Sequence, residues 1–126
     1  MRFGFPRLPG EFEIPDEWWE EAGMRHFRRE QPAYLSSANA IAVPLTDIEP
    51  PMRLPGCTKD WQGFDRTRLV RVLRGFAERA IIDAVPLRAF PQYEFQSAPF
   101  RYYILDGYHR YYASVAAGLD YLPSLL

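Results

Sequence analysis

The sequence predicts a small α/β domain of the α+β kind, a mixed sheet with flanking helices, and three observations carry that prediction. Phe64 to Ala80 sets Leu69, Val70, Leu73, Phe76, Ala77 and Ala80 at helical spacing behind Asp65, a residue suited to capping a helix start. Arg101 to Gly118 reads as strand, tight turn, helix and stop: an aromatic and apolar run to Leu105, turn residues Asp106-Gly107, helix formers from Tyr108, then Gly118 with Pro123 beyond. Short apolar runs at 38–45, 85–90 and 121–126 supply the other strands.

The N-terminal third, residues 1–39, reads as an aromatic and Pro-rich extension on a domain spanning 40–126. Phe3, Phe5, Phe12 and Ile14 are interleaved with Gly and Pro, which suits an extended segment lying across the domain. Pro15 to Gly23 has Pro near its start, acids in the first turn and Gly at its end, the pattern of a short helix. Its Trp18 and Trp19, with Met24, dock it either on the body or on a protein partner. Arg25 to Glu30 is a solvated polar run, and as an alternative a phosphate or partner patch. Within 66–79, Arg74 and Glu78 are spaced as an i,i+4 pair. Pro51 to Gly63 is a Pro/Gly loop holding Cys57, Lys59, Asp60 and Trp61, and Pro91 to Pro99 is a hairpin connection.

Composition limits the function classes. A net charge of −1 offers no global field for nucleic acid or an anionic membrane. Lys59 is the only lysine among 15 basic residues, so anion recognition here is guanidinium chemistry. One cysteine forbids an internal disulfide, no run is long enough to span a membrane, and the start lacks an apolar signal segment; the chain is expected to be cytoplasmic. Zinc, nucleophile-elbow and Gly-Lys phosphate-loop motifs are absent.

The chemistry therefore concentrates at the turn. A strand running through Gly107 into a helix whose first turn carries His109 and Arg110 is an anion site in outline. Unpaired helix-start N–H groups and the positive end of the dipole point at the turn, and Arg110 adds a fork of donors. A helix end contributes about 0.3–2 kcal/mol and a charge-assisted arginine contact about 1.5–3 kcal/mol. Arg110, one further arginine and the helix end together would give micromolar-to-millimolar affinity for a phosphate-bearing ligand seated over Gly107. The structural alternative is that His109 and Arg110 cap the sheet edge and pair with acids such as Asp106.

Leu105-Asp106-Gly107-Tyr108-His109-Arg110, followed by Ala113, Gly118-Leu119 and Leu122-Pro123, resembles the core motif of the ParB/sulfiredoxin superfamily. ParB-like nuclease domains carry Asp-Gly-(His or Glu)-(His or Arg)-Arg there, and sulfiredoxins Gly-Gly-Cys-His-Arg. Val43-Pro44-Leu45 and Ile48-Glu49-Pro50 are similar to the superfamily's opening strand, with Glu49 where sulfiredoxins have arginine. The resemblance covers residues 40–126. It implies that Arg68 reaches nucleotide phosphates from the start of its helix and that Gly107, Tyr108, His109 and Arg110 line the same pocket. Glu49, Asp106 and His109 would be the catalytic candidates, with ATP, ADP or CTP as cofactor and Mg²⁺ held through Asp106 or Glu49. Tyr108 stands where sulfiredoxins need a cysteine nucleophile, so sulfinic-acid reduction is not expected.

Three functions stay open on this reading. The first is a nucleotide-dependent phosphotransferase or hydrolase, as in the superfamily's free serine kinases, which use a glutamate base. The second is a ParB-like nuclease acting on DNA or RNA, and the third a catalytically inactive module binding a protein partner through the extension. No DNA-reading helix-turn-helix follows the motif, so sequence-specific DNA binding is not expected, nor is a membrane.

Overall fold

A computed structural model of the chain describes residues 1–52, 62–91 and 99–126. The expectations placed on Cys57, Lys59, Asp60 and Trp61, and on the hairpin connection across 92–98, lie outside these residues. In chain order the elements are β1 (Arg2–Gly4), β2 (Glu11–Glu13), α1 (Asp16–Glu21), β3 (Ile41–Pro44), a 3₁₀ turn (Leu45–Asp47), α2 (Arg66–Ala77), β4 (Val85–Ala89), β5 (Tyr102–Ile104), α3 (Tyr108–Ala116) and β6 (Tyr121–Leu125). The fold is small, mixed and α+β, as the sequence predicts.

The main sheet has the order β3-β6-β4-β5. Its outer pairs are antiparallel and β4 runs parallel to β6. A parallel pair needs a crossover, and the path from β4 through β5 and α3 back to β6 supplies it. Strand alternation puts Val43, Val85, Leu87 and Leu122 into the core, where they join Leu69, Val70 and Leu73 of α2 and Tyr111, Tyr112 and Ala113 of α3.

The three α-helices among the described residues end in the same way. In α3 the Gly118 N–H donates to the Val115 carbonyl and the Leu119 N–H to the Ser114 carbonyl, with Gly118 at φ +75. This is the left-handed stop expected at Gly118. Helix α1 repeats the pattern with Gly23 at φ +80. Helix α2 repeats it with an arginine: Arg79 stands at φ +57, its N–H donating to Phe76 and that of Ala80 to Gly75. A left-handed non-glycine residue costs roughly 1–2 kcal/mol.

The N-terminal extension contributes to the one core instead of lying over it as a single extended segment. Strands β1 and β2 fold back as an antiparallel hairpin with Phe3 opposite Phe12. Phe12, Ile14, Trp18 and Met24 are buried with the side chains of α2 and α3. The Phe12 ring lies 5.0 Å from Tyr112 and 6.1 Å from Phe64, both edge-on. Arginines of α2 fasten α1: Arg66 pairs with Glu21 at 2.8 Å and sits 6.0 Å over the Trp18 ring. Arg74 donates to the Glu21 carbonyl at 3.1 Å. The expected i,i+4 pairing of Arg74 with Glu78 is thus replaced by a contact across the helix pair, where a carbonyl at the end of α1 gains a charged donor. No helix among the described residues is long and apolar enough to cross a membrane.

Candidate functional site

The starts of α2 and α3 meet. Asp65 caps α2, its carboxylate accepting the Arg68 N–H at 3.0 Å. The backbone N–H of Asp65 in turn donates to His109 Nε2 at 3.0 Å. An N–H donor opposite Nε2 requires a lone pair there, so the imidazole is neutral with its proton on Nδ1. Burial is the largest influence on His109 and lowers its pKa; the Asp65 carboxylate pulls the other way, and the Arg68 guanidinium lowers it further. His109 therefore offers a donor through Nδ1 and holds α2 through Nε2, leaving Nε2 engaged and unsuited to act as a general base.

A pH dependence follows. Because the folded-state pKa lies below the ordinary histidine value, the unfolded chain takes up the proton first as pH falls. The stability tied to neutral His109 is complete above about pH 6.5 and is lost as pH drops towards the lowered folded value, at no more than about 1.4 kcal/mol per pH unit. Thermal melts from about pH 7.5 to about pH 5.5 should show the wild type falling more steeply than His109→Gln, whose amide oxygen accepts the Asp65 N–H throughout. Parallel curves would remove His109 as the titrating group.

The turn itself is closed from behind. Gly107 occupies the cap position of α3 at φ +114 with no side-chain cap, so Asp106, one residue earlier and exposed, does not cap the helix. A Cβ on Gly107 would stand 2.9 Å from both Val85 methyls and 3.0 Å from Arg110 Nη2. Arg110 Nη1 donates to the carbonyls of Asp83 at 3.1 Å and Ala84 at 2.9 Å. Arg110 thus pins the residues leading into β4 beneath the turn, and does not pair with Asp106. Tyr108 is half-buried, its ring 5.8 Å from Phe64 and 5.0 Å from Tyr112, and it belongs to the aromatic core.

The two candidate carboxylates, Glu49 and Asp106, are exposed and are not hydrogen-bonded into this cluster. Ile48 bridges Tyr102 in parallel and the Glu49 N–H donates to the Tyr102 carbonyl at 2.9 Å, so Glu49 lies exposed alongside β5. Neither the Glu49 nor the Asp106 side chain makes a hydrogen bond or ion pair among the described residues. Among those residues, no three His, Cys, Asp or Glu side chains come together as a metal site. The structure thus brings together Arg68 and His109 and adds Asp65, which the sequence marks only as a helix cap.

A cavity of about 480 Å³ lies elsewhere, at the far end of α2, between its last turns and residues 26–35. The sequence reads much of that segment as a solvated run; the aromatics Phe27 and Tyr34 flanking Arg28-Arg29 are the one signal that it folds back on the body. Comparison with protein-family models, with curated proteins and with solved structures gives no match.

Proposed function

We propose that the meeting point of α2 and α3 binds a phosphate-bearing ligand, a nucleotide such as ATP, ADP or CTP, in a nucleotide-dependent phosphotransferase or hydrolase. The observation that carries this reading is the Asp65 N–H to His109 Nε2 hydrogen bond, which joins two helix starts and brings Arg68 beside His109. Two helix N-termini place partial positive charge on one spot, His109 Nδ1–H is a further donor, and Arg68 is exposed on α2. Arg110, committed to two carbonyls, positions Gly107 and the turn, so Arg68 is the arginine that contacts phosphate. Glu49 or Asp106 would orient the attacking hydroxyl. Mg²⁺ brought with the nucleotide would be held by one or two protein carboxylates, for which these two exposed side chains are the candidates, and would supply charge neutralisation at the phosphates.

The resemblance to the ParB/sulfiredoxin superfamily supports the same reading, since it aligns Arg68 and His109 with phosphate-facing positions. Near-neutral charge favours a small ligand over a duplex. The partner-binding reading is weakened by the burial of Phe12 and Trp18 in the core.

Titration calorimetry with ATP, ADP and CTP, with and without Mg²⁺, tests the proposal. Wild type should bind at least one nucleotide with micromolar-to-millimolar affinity, and Arg68→Ala should weaken it by about 1.5–3 kcal/mol, tenfold or more. Arg71→Ala, exposed on the same helix, should change nothing. A wild type silent towards every nucleotide at millimolar concentration removes the reading.

A further inference from the structure

The cavity at the C-terminal end of α2 has no part in the site above. It lies roughly the length of the helix, about 18 Å, from the start of α2. Its floor is apolar: Phe76 and Leu119 are almost fully buried, and Tyr34 stacks on Phe76 with ring centroids 5.4 Å apart. Its rim is cationic. Arg28, Arg29 and Arg79 line it against a single carboxylate, Glu30, on a chain whose net charge is −1.

Two of these arginines are matched. Arg29 pairs with Asp120 at 2.7 Å and donates to the Gly118 carbonyl at 2.8 Å, and Arg79 pairs with Glu30. Arg28 has no ion pair among the described residues. With Arg29 and Arg79 matched in this way, Arg28 is the cation of the rim that is not offset.

Arg79 supplies the second observation. Its position in the helix stop is filled by Gly23 in α1 and Gly118 in α3, and only here does a side chain occupy it, at φ +57. The pair it forms with Glu30 is exposed on both sides, and an exposed pair returns no more than a left-handed backbone costs. The Arg79 side chain stands at the mouth of the cavity.

We propose that this cavity is a second ligand site, for a small aromatic ring bearing a carboxylate or phosphate. The ring lies against Phe27, Phe76 and Leu119, and the oxyanion is held by Arg28 and Arg79. The volume, about 480 Å³, suits one ring with an acidic head. The planar guanidinium matches both oxyanions, and the aromatic floor favours a ring over a flexible chain.

Amide NMR of the full chain, titrated with phenylacetate, phenyl phosphate, inorganic phosphate and benzyl alcohol, tests this. Phenylacetate or phenyl phosphate should give saturable shifts in residues 26–35 and 75–80, and the tighter of the two identifies the head group. Benzyl alcohol and inorganic phosphate should each bind about tenfold more weakly or worse, because each lacks one half of the ligand. Arg28→Ala and Arg79→Gly should each weaken the aromatic anion by about tenfold. Arg79→Gly should also melt no lower than wild type, because glycine accepts the left-handed backbone, so its loss of binding is not a loss of fold. No saturable shift by about 10 mM, or benzyl alcohol binding as tightly as the anions, overturns the proposal. So do shifts confined to residues 65–68 and 107–109, which belong to the helix-start site; the nucleotide reading fails separately, on nucleotides.

Discussion

Removing residues 1–24 is expected to unfold the domain. The segment contributes Phe12, Ile14, Trp18 and Met24 to the one buried cluster, each no more than 5% exposed. Burying an apolar side chain is worth about 1.5–3 kcal/mol, and deletion takes four of them out of the cluster at once. Deletion recovers the ordering entropy of the segment but also bares Phe64 and Tyr112, against which Phe12 packs edge-on. The truncated chain should lose near-ultraviolet circular dichroism and amide dispersion. Trp18→Ala is the milder version, with a loss of about 3–5 kcal/mol and a fall in Tm on the order of 10–20 °C. A truncated chain that keeps a cooperative melt at the wild-type temperature would contradict the core described here.

The sheet and the two long helices were legible because their signals are local. The periodicity from Leu69 to Phe76, the Asp65 cap and the Gly118 stop each work within a few residues, and each is where the sequence predicts it. The hairpin of β1 and β2 was not legible, since Phe residues among Gly and Pro suit an extended segment as well as two paired strands. Nothing in an arginine announces a left-handed helix stop, so Arg79 reads as one more solvated cation.

The candidate site divides along the same line. His109 was singled out by the strand–turn–helix pattern and Arg68 only by resemblance, while the bond that joins their helices links residues 44 apart. Arg110 shows the difficulty most directly. A long guanidinium side chain at a helix start can serve a ligand or a carbonyl, and the choice depends on where residues 83–84 pass, which is a property of the assembled sheet. The cavity at the other end of α2 likewise exists only because residues 26–35 return to the helix from the extension.

Gly107→Ala is expected to destabilise the protein by about 2–5 kcal/mol, the sum of a left-handed backbone penalty of roughly 1–2 kcal/mol and an overpacking cost of about 1–3 kcal/mol. The backbone stands at φ +114, and the added methyl would meet both Val85 methyls at 2.9 Å and Arg110 Nη2 at 3.0 Å. None of the three atoms has an easy retreat. Val85 is fully buried in β4 opposite Ser124, and the Arg110 guanidinium is held by the Asp83 and Ala84 carbonyls. The two contributions can be separated by a double-mutant cycle with Val85→Ala. That change alone leaves a cavity and is itself destabilising, but it removes the clash and not the backbone strain. Urea melts of the four proteins should therefore show the double variant more stable than additivity allows, by about 1–3 kcal/mol. If the two substitutions simply add, the contact between the turn and β4 is not what excludes a side chain at position 107. If Gly107→Ala melts with wild type, the turn does not hold the left-handed conformation at all.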